Sequence, residues 1–560
     1  MAVSIEGGYM VVQGQFDPRL PYSVCPDLTC DWVNGDIAQV RVPWTYDNAY
    51  ALANIGIECV SPMPRDYSFP MFQKTPMVHQ IQGADFLARN RRAYMLSGAG
   101  SGKTLTASWA ADYLLLTGKV RKVLVVVYKP TLYSAWAEDI ETHLPHMSFT
   151  VLTDDNAEKR LKKMKSDAPV HIINHDGPAH FWPELAENNY DLIIYDESTA
   201  IKRVSTDRWR GLDALVRPNP RLRLWLMTAT PTAHSPMDAY GQIRMIGNIN
   251  REAQRCPPGE IWGGAFMTEE QWKKATMVSE NVGNRTIWKA APWANEVVMN
   301  YMRPAFCRRT EDCVDLPPTV TLPRADLKPT AAQKKAWTTL RKGERHEGDD
   351  GQTISIKAPV ALLSKVIQIA CGCVYADTPE NPIIAGIDEG SERPVMEFDV
   401  REKNEEMLRL IDEVDGKAIV YVPFTAVVHR VAAYLERAGK RVVKIYGSMS
   451  PQAVRDAING DFQTDGPNSA EVIVAIPQKM SHGITATAAN LIVWYAPILR
   501  GEPYQQANFR IKRIGQHRTM FYAQLACCAT ERERYDQLGE GSNNQQDLLR
   551  LYSSFMSGVV

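Results

Sequence analysis

The stretch YMLSGAGSGKTLTAS, residues 94–108, decides how the chain is read. Its core, Ser97-Gly98-Ala99-Gly100-Ser101-Gly102-Lys103-Thr104, follows the phosphate-loop spacing, with Ser97 where the first glycine usually stands. Glycines at these positions let successive backbone N–H groups turn inward and form an anion-binding nest. Lys103 can then reach the β- and γ-phosphates, and the Thr104 hydroxyl can ligate Mg²⁺. The flanks agree. An apolar run at 93–96 reads as a strand entering the loop. TLTASWAADYLLLTGK, residues 104–119, reads as a helix leaving it and stopping near Gly118, so its N-terminus faces the phosphates. A glycine-rich turn with a chance GKT would lack this strand–loop–helix context. The loop is read as a nucleoside triphosphate site.

A second stretch, YDLIIYDESTAIK at 190–202, supplies the carboxylates that such a site needs. Residues 192–195 form a continuous apolar run, as expected of a buried parallel strand. That strand delivers Asp196 and Glu197 to its C-terminal edge, where α/β sheets place ligands. Asp196 is the candidate metal carboxylate, and Glu197 the candidate that orients and deprotonates the attacking water. Between the two sites KVLVVVYKP, PVHIINHDG and, further on, LRLWLMTATP read as strands, with LYSAWAEDIETHL as a helix. This alternation predicts an α/β lobe with a parallel sheet.

The whole chain sets further bounds. At 560 residues it has room for three or four domains, and its composition, 45% hydrophobic and 23% charged, is that of a globular protein. No apolar run reaches membrane-spanning length, and the N-terminus lacks a signal-peptide pattern, so a cytoplasmic protein without a membrane partner is expected. Ten scattered cysteines fit a reducing compartment. Cys25 with Cys30, and Cys371 with Cys373, each lack the second pair that a zinc site requires. The net charge of −1 leaves room for a basic groove. The basic run AEKRLKKMK at 157–165 reads as a solvated helix face. Residues 341–352 and 377–394 read as flexible joints or insertions, and 539–546 as a polar tail.

In order along the chain, these motifs resemble a superfamily 2 helicase-type motor, most closely its Swi/Snf-like translocase branch in a compact bacterial or phage form, over roughly residues 71–535. HQIQGADFLARN resembles the glutamine motif, which implies that Gln80 reads the adenine edge. VVYKPTLYSAWAED resembles the first nucleic-acid-contacting motif, with Lys129, Pro130 and Trp136 in matching places. DESTAIK resembles the Asp-Glu-Ala-His box but ends it in Ser198-Thr199. MTATP resembles the coupling motif, through Thr228, Ala229 and Thr230. FCRRTEDCVDLPP resembles the arginine-rich segment that leads into the second lobe. SHGITATAANLIVWYAP resembles the later strand-capping motif, with Gly483 and Thr487, and Thr485 replaces the usual asparagine. QQANFRIKRIGQ resembles the arginine-finger motif, closed by Gln516. Arg510 and Arg513, read as one helical turn apart, are then expected to point together at the triphosphate.

The resemblance implies an α/β fold of two RecA-like parallel-sheet lobes in tandem. A small N-terminal α+β module is expected at 1–70, the ATP-binding lobe at 71–250, and a helical, aromatic insertion at 251–324. The second lobe is expected at 325–538 and a tail at 539–560. The implied activity is ATP hydrolysis with Mg²⁺, coupled to movement along duplex or branched DNA. Fork regression and branch migration are the concrete forms, with replication or recombination proteins as candidate partners. A strand-separating helicase on single-stranded DNA or RNA stays open, and a non-hydrolysing ATP-gated clamp is the third reading. Trp262, Trp272, Trp288 and Trp293 in the insertion read as core before they read as a base-stacking platform. Within 1–70, Trp32 and Trp44 are candidate DNA contacts, with a docking role for the module equally open.

Overall fold

The computed structural model describes residues 2–540 except 15–24, 26–28, 34–36, 56, 58, 71–74, 130, 155, 248–266, 283–284, 314, 349–351, 356–358, 378–394, 465, 467 and 481–483. They fall into two compact units, Met1–Cys313 and Val314–Gln546.

The first unit opens with an antiparallel sheet of β1 (Ala2–Glu6), β2 (Tyr9–Gly14), β3 (Thr29–Val33) and β4 (Ile37–Pro43) in the order β1-β2-β4-β3. Helix α1 (Tyr46–Asn54) follows, capped by the Thr45 hydroxyl, and its Ala49 and Leu52 close a small core with Met10, Val12, Val40 and Val42. This module is docked on its neighbours. The Tyr46 hydroxyl meets the Ala88 carbonyl, and Arg223 donates to the same carbonyl at 2.9 Å and to the Tyr46 oxygen at 3.2 Å. Tyr67 donates to Asp112 at 2.6 Å. Trp44, a candidate DNA contact, is half-buried, with its Nε1 on the Val60 carbonyl at 2.7 Å and Arg65 over its ring. These contacts favour the docking role.

Helix α2 (Val78–Arg89) leads into a seven-stranded parallel sheet. Its strands are β5 (Arg92–Met95), β6 (Val123–Val127), β7 (Phe149–Val151), β8 (Val170–Asn174), β9 (Leu192–Asp196), β10 (Arg223–Met227) and a short edge strand that follows the insertion. Strands β6 and β10 are buried along their whole length, because helices cover both faces of the sheet. Val123, Val125 and Val127 pack into the core on one face with helix α3 (Lys103–Leu116), while Leu124 and Val126 pack into the other. Register matters most at β10. Met227 sits level with both Met95 and Asp196, so β5, β10 and β9 end at one height.

The insertion differs from the helical expectation. Helices α4 (Glu269–Thr276) and α5 (Ala294–Tyr301) flank an antiparallel hairpin, β11 (Met277–Val282) and β12 (Arg285–Ala290). The sequence there carries the β-branched and aromatic residues Val278, Val282, Thr286, Ile287 and Trp288, which suit a strand. The chain then returns to the first sheet as β13 (Ala305–Phe306), parallel to β5, giving the order β13-β5-β10-β9-β6-β8-β7. FCRRTEDC, expected to lead away to the second lobe, therefore begins as an edge strand of the first sheet.

The second unit carries its own seven-stranded parallel sheet. Six strands run in the order β14 (Thr319–Thr321), β19 (Met520–Ala526), β18 (Ala489–Trp494), β15 (Lys417–Tyr421), β17 (Val472–Ala475), β16 (Val442–Ile445), and Ala325–Asp326 adds a parallel contact to β19. Alternate residues of β15 again serve two cores, Ile419 and Tyr421 on one face, Ala418 and Val420 on the other. Two RecA-like lobes in tandem are thus present. At the edge of the second core, Lys403 of α6 (Arg401–Glu413) and Glu531 form a fully buried pair at 2.7 Å. Burial alone would lower the basicity of the Lys403 ammonium, and the Glu531 carboxylate together with Cys527, Cys371 and Tyr495 more than reverses this. The second Glu531 oxygen accepts from Cys527 N at 2.7 Å.

A buried charge stripped of its partner costs about 3–5 kcal/mol. Glu531→Leu should destabilise the second unit by that amount in urea unfolding, and the double change with Lys403→Met should recover most of it.

Candidate active site

The phosphate loop is preformed by its glycines. Gly100 and Gly102 both take φ +78, a conformation that other residues resist. A Cβ on Gly102 would lie 2.1 Å from Gln80 Nε2, and one on Gly98 would lie 2.5 Å from Thr310 Oγ1. The loop is thus walled by α2 on one side and by the segment after β13 on the other. That second wall holds it closely. Gly98 N donates to the Arg308 carbonyl at 2.8 Å, and Thr310 Oγ1 donates to the Ala99 carbonyl at 2.8 Å. Sequence reading did not place this segment here, because nothing local announces a strand pairing more than 200 residues away in the chain.

The Lys103 ammonium folds back onto the loop, donating to the Ser97 and Gly98 carbonyls at 2.9 and 3.1 Å. Ser97 is buried, and its hydroxyl accepts from Arg308 N at 3.3 Å. Ser101 Oγ closes the turn on the Gly98 carbonyl at 2.8 Å. Thr104 lies half-buried in the first turn of α3. Gln80 is buried, and its Oε1 accepts from Met77 N at 2.9 Å, which ties its side chain beside the loop.

Asp196 ends β9 with its carboxylate held from two directions. Trp136 Nε1 donates to Oδ2 at 2.9 Å, and Glu197 N donates to Oδ1 at 3.0 Å. Burial raises the Asp196 carboxyl, while the Trp136 hydrogen bond and the Lys103 charge oppose that rise. His175 lies flat against Tyr195 and donates through Nε2 to the Asp196 carbonyl at 2.8 Å. Burial lowers its pKa to about 4, so the ring is a neutral donor at physiological pH.

Glu197 adopts φ 49, ψ 60. For a glutamate this left-handed conformation costs on the order of 1–3 kcal/mol and is held by its surroundings. Thr228 Oγ1 donates to Glu197 Oε2 at 3.3 Å and also receives Thr230 N at 3.0 Å. Thr228 N in turn donates to the Met95 carbonyl, so the coupling stretch Thr228, Ala229 and Thr230 bridges β5 to Glu197. The altered end of the box has a clear place. Ser198 Oγ donates to Gln242 Oε1 at 2.7 Å, and Gln242 Nε2 donates to the Pro231 and Asp238 carbonyls, both at 3.0 Å.

Among the residues expected to touch nucleic acid, Trp136 is corrected by the structure. It is 1% exposed, its indole N–H is spent on Asp196, and a side chain so enclosed has no face to offer a ligand. Lys129 is exposed, and Pro130 lies outside the described residues. In the insertion, Trp272 is core, with Nε1 on the Pro236 carbonyl at 3.0 Å. Trp288 and Trp293 are exposed, with the Lys273 ammonium 3.9 Å from the Trp288 ring centre. Trp262 lies outside the described residues.

In the second unit the two finger arginines part company. Helix α7 (Gly501–Asn508) stops before them, so they do not share one helical face as expected. Another strand meets that ending, since Tyr522 Oη of β19 donates to the Asn508 carbonyl at 2.8 Å, and locally Arg513 Nε donates to the Phe509 carbonyl at 3.3 Å. Arg510 is 3% exposed and donates to the Ile484 carbonyl at 2.7 Å and the Gln506 carbonyl at 3.0 Å. Arg513 is half-buried, and its Nη1 donates to Thr485 Oγ1 at 3.0 Å. Gln516 is buried and gathers the Thr487, Ala489 and Ile511 carbonyls on its Nε2. Gly483 lies outside the described residues.

A guanidinium on two buried carbonyls is a structural tie, whereas one on a surface hydroxyl can change partners. Arg510→Ala should lower the melting temperature by several degrees, as expected for about 2–3 kcal/mol lost from a large domain. Arg513→Ala should leave the melting temperature within a degree or two, by the same reckoning for an exposed neutral contact, and lower ATP turnover. A differential scan beside a turnover assay separates the two.

The described residues contain no helix long and apolar enough to cross a membrane. The family model for the type III restriction enzyme res subunit matches residues 63–233, and that for the helicase conserved C-terminal domain matches residues 402–515. No curated protein matches the chain. Many solved structures do, among them the Sulfolobus solfataricus SWI2/SNF2 ATPase core in complex with dsDNA. That likeness has 17% identity over 86% of this chain and 96% of that one, with a TM-score of 0.37, too low to carry an argument. The first match spans the phosphate loop, the Asp196-Glu197 box and the coupling stretch, and the second spans the arginine pair up to Gly515. With both helicase halves matched in order, each on its own parallel sheet, the chain is a superfamily 2 helicase-type ATPase whose turnover depends on nucleic acid.

Proposed function

We propose that the chain is a Swi/Snf-like DNA translocase that hydrolyses ATP to move along duplex or branched DNA, and that fork regression or branch migration is its work. The observation that carries the catalytic half is the level ending of β5, β10 and β9, which collects Lys103, Thr228, Asp196 and Glu197 on one sheet edge. The choice of duplex DNA is supported by the ordered Swi/Snf-like motifs.

The residues present fit a magnesium nucleotide. Glycines in left-handed conformation open the loop, Lys103 rests on carbonyls at its mouth, and a half-buried carboxylate with two donors faces the same edge. Thr104 and Asp196 would hold Mg²⁺, which supplies charge screening at the β- and γ-phosphates. The remaining roles belong to the protein. Lys103 exchanges the Ser97 and Gly98 carbonyls for phosphate oxygens, which it binds more strongly as an ammonium donor. Gln80 is assigned to the adenine edge. Glu197, turned by its backbone and braced by Thr228, orients the attacking water and accepts its proton. Arg513 is assigned to the γ-phosphate charge that develops in the transition state, with Arg510 holding the segment that presents it.

One observation favours strand separation as a second reading. The β11–β12 hairpin presents Trp288 to solvent beside Lys273, Trp293 at the start of α5 is exposed as well, and base stacking on such rings needs unpaired bases.

ATP hydrolysis by the purified protein with no nucleic acid, single-stranded DNA, duplex DNA, forked DNA and RNA tests both readings. Duplex or fork stimulation that weakens as salt rises supports the translocase, because phosphate contacts release counterions. Stimulation by single strands or RNA alone supports the strand-separating helicase. Glu197→Gln should bind ATP and lose turnover by about 10²–10⁴-fold, the usual worth of a general base. A fully active Glu197→Gln enzyme would remove the water-activating role.

A further inference from the structure

We infer that Trp136 is a positioning residue through which contact at Lys129 and Tyr133 sets the Asp196 carboxylate, and with it the rate of ATP turnover. The inference rests on the reading of the chain as a nucleic-acid-stimulated motor.

The segment has two sides. Lys129 is exposed, and so is Tyr133, at 54%, with its hydroxyl 3.2 Å from Thr153 Oγ1. Three residues on, Trp136 is buried and gives its only N–H to Asp196 Oδ2 at 2.9 Å. The other Asp196 oxygen takes the Glu197 N–H, a donor fixed to the same strand end. Of these two donors, only the indole belongs to a separate element, so only it can carry a message from elsewhere in the lobe.

The element that carries it is suited to change. Leu132–Ala137 winds as a π-helical turn before continuing as the α-helix Glu138–His143. Such turns are rare and concentrate at functional sites. A π turn holds one residue more than an α turn, so closing it to α geometry would rotate the residues beyond by about 100°. A nucleic-acid strand gripping Lys129 and Tyr133 favours whichever winding presents them better. The indole then stays on, or leaves, the Asp196 oxygen accordingly. Differential contact of the ligand with the two windings is all the coupling requires.

The sequence alone pointed to the wrong side of this segment. It took Trp136 for a nucleic-acid contact because the motif as a whole faces that ligand. The structure leaves Lys129 and Tyr133 exposed and turns Trp136 toward the carboxylate.

The test uses the full chain with Trp136→Phe, which keeps an aromatic ring and removes the N–H. Three quantities are read: the Mg²⁺ concentration at half-maximal binding of a fluorescent ADP analogue, the affinity for a labelled DNA duplex, and the ratio of duplex-stimulated to unstimulated turnover. The Mg²⁺ midpoint should rise about tenfold, the effect of losing one charge-assisted hydrogen bond. The stimulation ratio should fall by a similar factor, while duplex affinity stays within about twofold, since no phosphate contact is lost. Trp136→His, which retains a ring N–H, should restore part of the Mg²⁺ midpoint.

An unchanged midpoint and ratio in Trp136→Phe would overturn the inference and leave Trp136 as packing. Loss of duplex affinity would overturn it in favour of direct contact. Should the Trp136 variants fail to fold, Tyr133→Ala decides from the surface: reduced stimulation with an unchanged Mg²⁺ midpoint supports the coupling, and full stimulation overturns it. A wild-type protein that no nucleic acid stimulates would instead sink the motor reading, while the Mg²⁺ arm would still judge the hydrogen bond.

Discussion

A half-buried carboxylate at a strand end draws its fixed hydrogen bonds from the protein, and Asp196 is the point on which the first lobe turns. Its two donors come from the strand that carries it and from the turn after β6. Its backbone carbonyl takes the His175 ring, itself held neutral by burial. Each of these groups is placed by a neighbouring parallel strand, β6, β8 or β9. Parallel pairing has a useful consequence here, because all strands end on the same side and a common register brings their loops to one height. Met227, level with both Met95 and Asp196, is where that height is set.

Around this point the lobe spends conformational freedom deliberately. Glu197 holds a left-handed backbone that glutamate disfavours, and the Thr228 hydroxyl meets the side chain so presented. Ser198 ties the box to the coupling stretch by hydrogen bonds. It donates to Gln242, which holds the Pro231 carbonyl just beyond Thr230. The wall of the phosphate loop is completed by β13 and Thr310, which arrive after the whole insertion. The same logic of buried polar ties runs through the second lobe, where Lys403 and Glu531 brace the core and Arg510 anchors the segment that carries Arg513.

Much of this was legible in the residues. Continuous apolar runs marked β6, β9 and β10 because strands buried on both faces have no polar side to alternate with. The glycine spacing marked the phosphate loop because only glycine tolerates the turns at Gly100 and Gly102. What was misread depended on direction. Trp136, Arg510 and the edge strand β13 all look right as motif members. A motif states which residues are near, and leaves open which way each side chain turns.

By itself, then, the amino-acid sequence marked the α/β character of the first lobe, the phosphate loop and the candidate carboxylates Asp196 and Glu197 at a strand end, while the two-lobed plan came from the resemblance. The first three rest on local chemistry: hydrophobic period, backbone freedom and residues adjacent in the chain. Only the tertiary structure decided that Trp136 serves Asp196, that Thr310 walls the loop, that Ser198 is tied through Gln242, and that Arg510 is fully buried while Arg513 is half-buried with one nitrogen on an exposed hydroxyl. Apart from the arginine pair, each is a hydrogen bond between groups from 44 to over 200 residues apart in the chain. Such a bond is chosen by which elements pack together, and no local pattern encodes it.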